Sequence, residues 1–463
     1  MDFKLKNMKT HHLIFLTTAI FVALFYEETP GLNLGILGVT ISILTFFNTQ
    51  TRNRTNTFYA VFAASICSSI AFAWYGDFAS FLAVFTSLFL LAFKSKNSEL
   101  KSLFIIPVFA INFLTFIYRI FLFDKWLPTQ RSEGFWQKIM AMVIIPGILL
   151  LVFFGIYAQG SSHFAALFSG YKLDVNIWEI IVLSILGFFL SFNFWNYAVE
   201  KFIYKQNHFL KNDFLQEERK EKPTYSFLDL DSERTSGVIS FLMLNVLLVF
   251  FIITFNYEQF IELPKTANQL AEETHERVGA VIVSIVMAVL VVMFYFKGSF
   301  NFDKKAGMLK VLAKIWVLLN AVMILSAFAK NTEYIINLGL TYKRLGVYAF
   351  LILSIIGLMF TFIKIKQQKT NAYIFNQMVW YFYGTVLVCS FINWGNLATY
   401  YNITNHKGDF KFLCSLNYND RILNEKFPLE IKNRINHNKE YNDKASFLSK
   451  NLYYETLNLP ENK

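Results

Sequence analysis

Few residues in this chain could perform acid–base or metal chemistry. The densest group is Glu272, Glu273, His275 and Glu276, followed by Arg277. Clustered carboxylates and an imidazole can move protons or hold a metal ion. Their spacing matches neither HExxH nor another metal-binding run. Cys67, Cys389 and Cys414 form no CxxC pair, and the seven histidines are scattered. No disulfide framework, metal site or cofactor is expected from them.

A second group could hold negative charge. Residues 330–346 read KNTEYIINLGLTYKRLG and join two apolar runs. Gly339 suits a turn or a positive φ, and Thr341 suits a helix N-cap. Lys343 and Arg344 then fall in a first helical turn, where two cations oppose the macrodipole. They call for anionic company. The preceding loop, 257–277, supplies it: Glu258, Glu262, Glu272, Glu273 and Glu276 stand against Lys265 and Arg277 alone. The loop at 330–344 has the reverse balance, Lys330, Lys343 and Arg344 against Glu333. Opposite charge predicts that the two loops dock, with Lys343 and Arg344 facing at least one of Glu272, Glu273, Glu276 or Glu333. A snorkelling interfacial anchor and an anionic ligand or lipid headgroup are the other readings.

A third group is polar but uncharged. Asn112, Asn193, Asn196, Asn245 and Asn320 sit inside apolar runs. Such residues form interhelical hydrogen bonds, worth about 0.6–2 kcal/mol each; substrate contact is the alternative. Arg119 stands near the end of its run, where it is expected to snorkel to the headgroups. No Asp, Glu or His is clearly placed mid-run, which weighs against an ion-coupled transporter.

The elements that must position these groups are apolar. The chain has 463 residues, 55% hydrophobic and 16% charged, with 53 Phe; soluble domains average about 25% charged. Mean hydropathy is +0.40. Apolar runs cover approximately 13–26, 32–47, 58–75, 78–93, 102–123, 138–157, 178–204, 236–256, 278–296, 312–329, 345–363 and 378–393. These lengths fit membrane helices of roughly 17–25 residues and exclude a transmembrane barrel, whose strands need about 9–11. The class is an all-α, polytopic transmembrane helix bundle of about 11–13 membrane helices with a small helical C-terminal tail. The first run follows Lys4, Lys6 and Lys9 like the start of a signal peptide. With no small-x-small cleavage site after it, it reads as a retained membrane helix. The net charge of +11 lies in short loops rather than in a basic domain, so nucleic acid is not an expected partner. The lipid bilayer is, and membrane or envelope proteins are possible partners.

Lys and Arg counts place the N-terminus and the loops at 48–57 and 94–101 in the cytoplasm. Read from the other end, the loops at 201–235, 297–310 and 364–377 are cytoplasmic and the C-terminus is extracytoplasmic. The two halves disagree by one crossing. This favours about 11 crossings, with a re-entrant or interfacial segment near 102–177, over about 13. Four regions follow: an N-terminal transmembrane region 1–204, a charged cytoplasmic loop 205–235, a second transmembrane region 236–393 and an extracytoplasmic helical tail 394–463. In the tail Phe447, Leu448, Leu452, Tyr453 and Leu457 recur at helical spacing.

Four stretches carry a resemblance. Gln269–Gly279 (QLAEETHERVG) resembles a YAEYARRGF-type motif, and Leu338–Arg344 (LGLTYKR) resembles YGLTxxR. Asn396–Ile403 (NLATYYNI) resembles xxIARYNI, and Leu24–Gly31 (LFYEETPG) resembles an LFxxxPG hairpin. In order and placement they resemble a family of bacterial multi-pass membrane proteins known as a domain of unknown function, of the 4173/4153 type. The chain departs from the pattern at Leu338, at Val278 and Ala280, and at Thr399–Tyr400. The loss of a charge at 400 puts any shared ionic network there in question. The resemblance implies a multi-pass protein of the bacterial cytoplasmic membrane and supplies no activity. The expected function is a non-enzymatic scaffold, sensor or accessory subunit. A small-molecule or ion transporter is the alternative. A membrane enzyme on a lipid-linked substrate, using Glu272, Glu273, His275 and Glu276, comes third.

Overall fold

The computed structural model describes residues 8–128, 141–142, 145–161, 164, 176–219, 229–261, 267–428 and 442–457, and for residues 267–278 the backbone alone. The chain is all-α. An isolated bridge between Asp213 and Lys369 is the β-structure found among the described residues. Six described helices are long and apolar enough to cross a membrane: Asn56–Tyr75, Phe78–Lys96, Ile177–Trp195, Leu230–Glu258, Gly307–Leu338 and Tyr342–Gln367. Shorter apolar helices accompany them, among them Thr10–Phe25 and Leu32–Asn48. The chain folds as two compact units.

The first unit takes in Met1–Glu99, Phe104–Glu200 and Tyr441–Glu455. Its helices are α1 (Thr10–Phe25), α2 (Leu32–Asn48), α3 (Asn56–Tyr75), α4 (Phe78–Lys96), α5 (Ile105–Leu114), α6 (Phe116–Ile120), α7 (Phe123–Trp126), α8 (Ile145–Gly160) and α9 (Ile177–Trp195). Two residues suffice to turn α3 into α4. Gly76 takes φ +65° at the end of α3, and the Asp77 carboxylate caps α4 by accepting from the Ser80 amide at 2.8 Å. Helices α2, α3 and α4 meet through small residues: Gly35, Gly38 and Ser42 face Ser65, Ser69 and Ala73, with Ser80, Ala83 and Ser87 buried on α4. A Cβ at Gly35 would lie 2.7 Å from that of Ala73 and 2.8 Å from the Ser69 carbonyl oxygen. Ser42 donates to Ser65 across the interface at 2.9 Å. Lipid tails are as apolar as the side chains, so close backbone approach and hydrogen bonds must hold such helices together.

Two apolar runs are broken. The stretch 102–123 divides into α5 and α6, with α7 after it, and the run to 204 stops at Trp195. The carbonyls of Asn112 and Asn196, freed at these breaks, are taken by the buried guanidinium of Arg119.

The second unit takes in Leu100–Leu103, Lys201–Glu440 and Thr456–Lys463. It contains α10 (Lys201–Phe209), α11 (Leu230–Phe260), α12 (Ala267–Tyr295), α13 (Gly307–Leu338), α14 (Tyr342–Gln367), α15 (Asn371–Phe391), α16 (Trp394–Thr404), α17 (Phe410–Ser415) and α18 (Asp420–Lys426). Its core is built from large side chains of α11 to α14, including Phe241, Phe255, Trp316, Met323, Leu351 and Leu358. The fully buried Lys364 donates to the Phe296 carbonyl just past the end of α12 at 2.6 Å, a cation at a helix C-terminus. Helix α13 has 32 residues, about 48 Å at 1.5 Å per residue. That exceeds a hydrocarbon layer of about 30 Å, so part of α13 extends beyond such a layer.

The tail is helical in short pieces. Residues 447–457 do not form one amphipathic helix: a 3₁₀ turn, Phe447–Ser449, precedes the four-residue α19 (Leu452–Glu455). This end of the chain packs on the first unit's hairpin at 24–31. The Leu32 amide donates to the Lys450 carbonyl at 3.0 Å, and Ser446 and Ser449 donate to the Glu28 carboxylate. Ser446 and Lys450 are extended on either side of the 3₁₀ turn, which is why the helical spacing is not realised. Gly31 is required there, because a Cβ would meet the Ser449 and Lys450 carbonyls.

Candidate functional site

The turn between α13 and α14 is built as its residue types dictate. Gly339 closes α13 with φ +88°, a region costly for any residue with a Cβ. Thr341 caps α14, accepting from the Arg344 amide at 3.3 Å. The turn is held from outside by Asn402 of α16. Its carboxamide oxygen accepts from the Leu340 amide at 2.6 Å, and its nitrogen donates to the Leu340 carbonyl at 2.9 Å. Asn402 is wholly buried, and a Cβ at Gly339 would lie 2.5 Å from its oxygen. Asn331 of α13 donates to the Arg344 carbonyl at 3.1 Å.

Arg344 folds back rather than out. Its guanidinium donates to the Gly339 carbonyl and lies 3.9 Å from the centre of the Tyr334 ring. A cation at the start of α14 thus faces the carbonyl end of α13, where the macrodipole favours it. Lys343 is exposed. Glu333 is engaged by Lys330 at 3.1 Å rather than by Arg344. The side chains of Glu272, Glu273, His275, Glu276 and Arg277 lie outside the described residues. Among the described residues no three His, Cys, Asp or Glu side chains are grouped to hold a metal ion.

These residues surround a cavity of about 370 Å³. Thr341, Tyr342, Lys343, Arg344 and Val347 line it from α14 and its cap, Asn331 and Tyr334 from α13, and Phe412, Ser415 and Leu416 from α17 and the residue after it. Among the described residues no carboxylate lines it. Tyr342 is tied to the tail, its hydroxyl accepting from the Asn417 amide at 3.0 Å. Gly395 is needed at that junction, since a Cβ would overlap the Asn417 carbonyl. Asn419, fully buried, donates to Thr399 at 2.6 Å and to the Leu413 carbonyl at 2.7 Å. Residues 57–424 match the family described as a domain of unknown function, DUF4153. The chain belongs to the DUF4153 family. No curated protein and no solved structure matches it.

In this DUF4153 chain two of the stretches read from sequence, 338–344 and 396–403, meet at Asn402 and the Leu340 backbone. Asn402 lies inside a stretch quoted for its resemblance, yet nothing in its type or spacing marks it as the clamp. Phe412 and Ser415 carry no sequence signal, and Tyr334, inside the stretch 330–346, is not marked there as the partner of Arg344.

The intramembrane asparagines divide between the units. In the first, Asn112, Asn193 and Asn196 gather around Arg119, which is not a snorkelling residue. It is 9% exposed, and its guanidinium donates to the Asn112 carbonyl, to the Asn193 side chain and to the Asn196 carbonyl. Asn112 itself exchanges hydrogen bonds with the Ala198 backbone at 2.8 Å. The chain breaks after Leu114 and Trp195 release backbone carbonyls, and a buried guanidinium satisfies them. In the second unit Asn245 of α11 donates to the Leu312 carbonyl of α13 at 3.0 Å, an interhelical bond, whereas Asn320 bonds back to Trp316 on its own helix.

Proposed function

We propose that this DUF4153 protein is a multi-pass protein of the bacterial cytoplasmic membrane that acts by binding, as a sensor, scaffold or accessory subunit, and not as an enzyme. Its N-terminus is cytoplasmic and its tail extracytoplasmic, following the Lys and Arg bias of the loops. The observation that carries the reading is the cavity at the α13–α14 turn. It is preformed, it lies at the end of a helix longer than the bilayer core, and Asn402 fixes its wall from a separate element. A concave site with a mostly apolar lining and a few fixed polar groups is what recognition requires. The acidic segment 257–277, from the end of α11 into α12, and the basic segment 330–344, from the end of α13 into α14, carry opposite charge, which supports docking between them on one outer face.

A photo-crosslinking residue placed at Ser415 or Tyr342 in cells tests this. A discrete adduct is expected that disappears when Asn402→Ala loosens the turn, while the exposed span residue Ile352 gives no discrete adduct. Adducts that are the same at Ile352 as at the cavity, or that ignore Asn402→Ala, would overturn the reading.

Transport is the second reading, and one observation favours it. The stretch 105–126 is a discontinuous apolar segment with carbonyl ends turned toward a buried cationic side chain, the kind of element on which transporters build ion sites. Here the guanidinium of Arg119 occupies the place an ion would take.

A further inference from the structure

The first unit contains a second cavity, of about 270 Å³, where α2, α4 and α9 end and α1 begins. Its lining is mostly polar. Asn48, Thr49, Gln50 and Asn53 contribute along the end of α2 and the following turn, and Arg52 and Lys96 bring the charge. Among the described residues no carboxylate lines it. The walls are fixed by their own hydrogen bonds: Asn48 accepts from the Met8 amide at 2.8 Å, and Asn53 donates to the Ser95 carbonyl at 2.9 Å.

Three helix C-termini meet here, and cations are needed to offset their exposed carbonyls. That need is met by two side chains. Arg54 donates to the Phe46 and Thr49 carbonyls, and Lys96 donates to the Trp195 carbonyl while standing 4.5 Å from the centre of the Tyr197 ring. Arg52 remains: it is exposed and makes no hydrogen bond or ion pair among the described residues. Lys96 has three donors and directs one to Trp195. Positive charge beyond what the helix ends require faces a polar hollow.

The surroundings identify what would fill it. Helices α4 and α9, both long and apolar enough to cross a membrane, end at Lys96 and Trp195 beside the hollow. The hollow therefore lies where apolar spans give way to polar helix ends. A ligand there would set an anionic group against Arg52 and Lys96. Basic pockets between membrane helices bind phosphate-bearing lipid headgroups in this way. We propose that this cavity holds the phosphodiester headgroup of an anionic phospholipid. The assignment uses the first unit alone and does not depend on the function proposed for the α13–α14 cavity.

The full-length protein in detergent, titrated with phosphatidylglycerol and with phosphatidylcholine and read by native mass spectrometry, tests it. Phosphatidylglycerol should bind more tightly. The double variant Arg52→Gln/Lys96→Gln should lose that preference, at about fivefold in affinity for each cation. Lys304→Gln/Lys305→Gln removes equal charge from an exposed turn of the second unit and should change nothing. Because Lys96→Gln also removes the bond to Trp195, Arg52→Glu alone is the second arm, and it should abolish the preference without altering thermal unfolding. A preference that survives both variants overturns the proposal. So does displacement of the lipid by millimolar inorganic phosphate, which would assign the cavity to a soluble phosphoryl compound.

Discussion

Where α2, α3 and α4 meet in the first unit, Gly35, Gly38, Ser42, Ser65, Ser69 and Ala83 are buried beside Leu34, Leu37, Phe72 and Val84. Where α11, α13 and α14 meet in the second, the buried side chains include Phe241, Trp316, Met323, Leu351 and Leu358. The first contact brings backbones together until a single methyl group collides. The second fills the contact with large interdigitated side chains. The buried charges differ in the same sense. Arg119 holds two broken helices by their carbonyls, whereas Lys364 covers the end of one intact helix, α12. The lesson is that apolar helices in lipid can be made specific by proximity and polar pinning or by interdigitated bulk, and that the two solutions fail differently.

The largest expected effect is at Arg119. Arg119→Met leaves the Asn193 side chain and the Asn112 and Asn196 carbonyls without their donor. At about 1–3 kcal/mol for each buried group left unsatisfied, the loss should exceed any single aliphatic truncation at the rim of the second unit's core. Thermal unfolding in detergent is the measurement. A variant as stable as the parent would show that the breaks after Leu114 and Trp195 do not depend on the guanidinium.

Next is the clamp on the α13–α14 turn. Asn402→Ala strands the Leu340 amide and carbonyl, both of them bonded to it in a buried place, for about 1–3 kcal/mol per group. Hydrogen exchange should quicken at Leu340 and its neighbours while the α2–α3 contact stays protected. Uniform loss of protection across both units would break the division drawn here.

The sharpest comparison uses the smallest change. Gly35→Ala puts a methyl group 2.7 Å from the Ala73 Cβ and 2.8 Å from the Ser69 carbonyl oxygen, and should cost about 1–3 kcal/mol by overpacking. Gly357→Ala, on α14, meets the Met378 sulfur at 3.7 Å. It should be neutral or stabilising by up to about 1 kcal/mol, since alanine is the better helix former. Equal melting shifts for the two variants would mean that the first unit's small residues are not its packing device.

Much of this molecule was legible before any coordinates. The apolar runs determine an all-α bundle, because a backbone in lipid must satisfy its own hydrogen bonds. The pair Gly339 and Thr341 announces the turn, because positive φ and N-capping are local demands that a residue type meets alone. Arg119 departs from the expected snorkelling for a related reason. Snorkelling is the default for an arginine near the end of a straight helix, and only the fold reveals that this helix breaks and turns the guanidinium onto three acceptors. Asn402 belongs to the same class. It is one asparagine among many, and it becomes a clamp because α16 carries it more than sixty positions along the chain back to Leu340. The tail's return to the hairpin at 24–31 has no local signature either. Sequence determines what each residue demands of its immediate neighbours. Which distant carbonyl, ring or helix end meets that demand is decided only when the chain is packed, since such contacts depend on relative position in space and leave no periodicity behind.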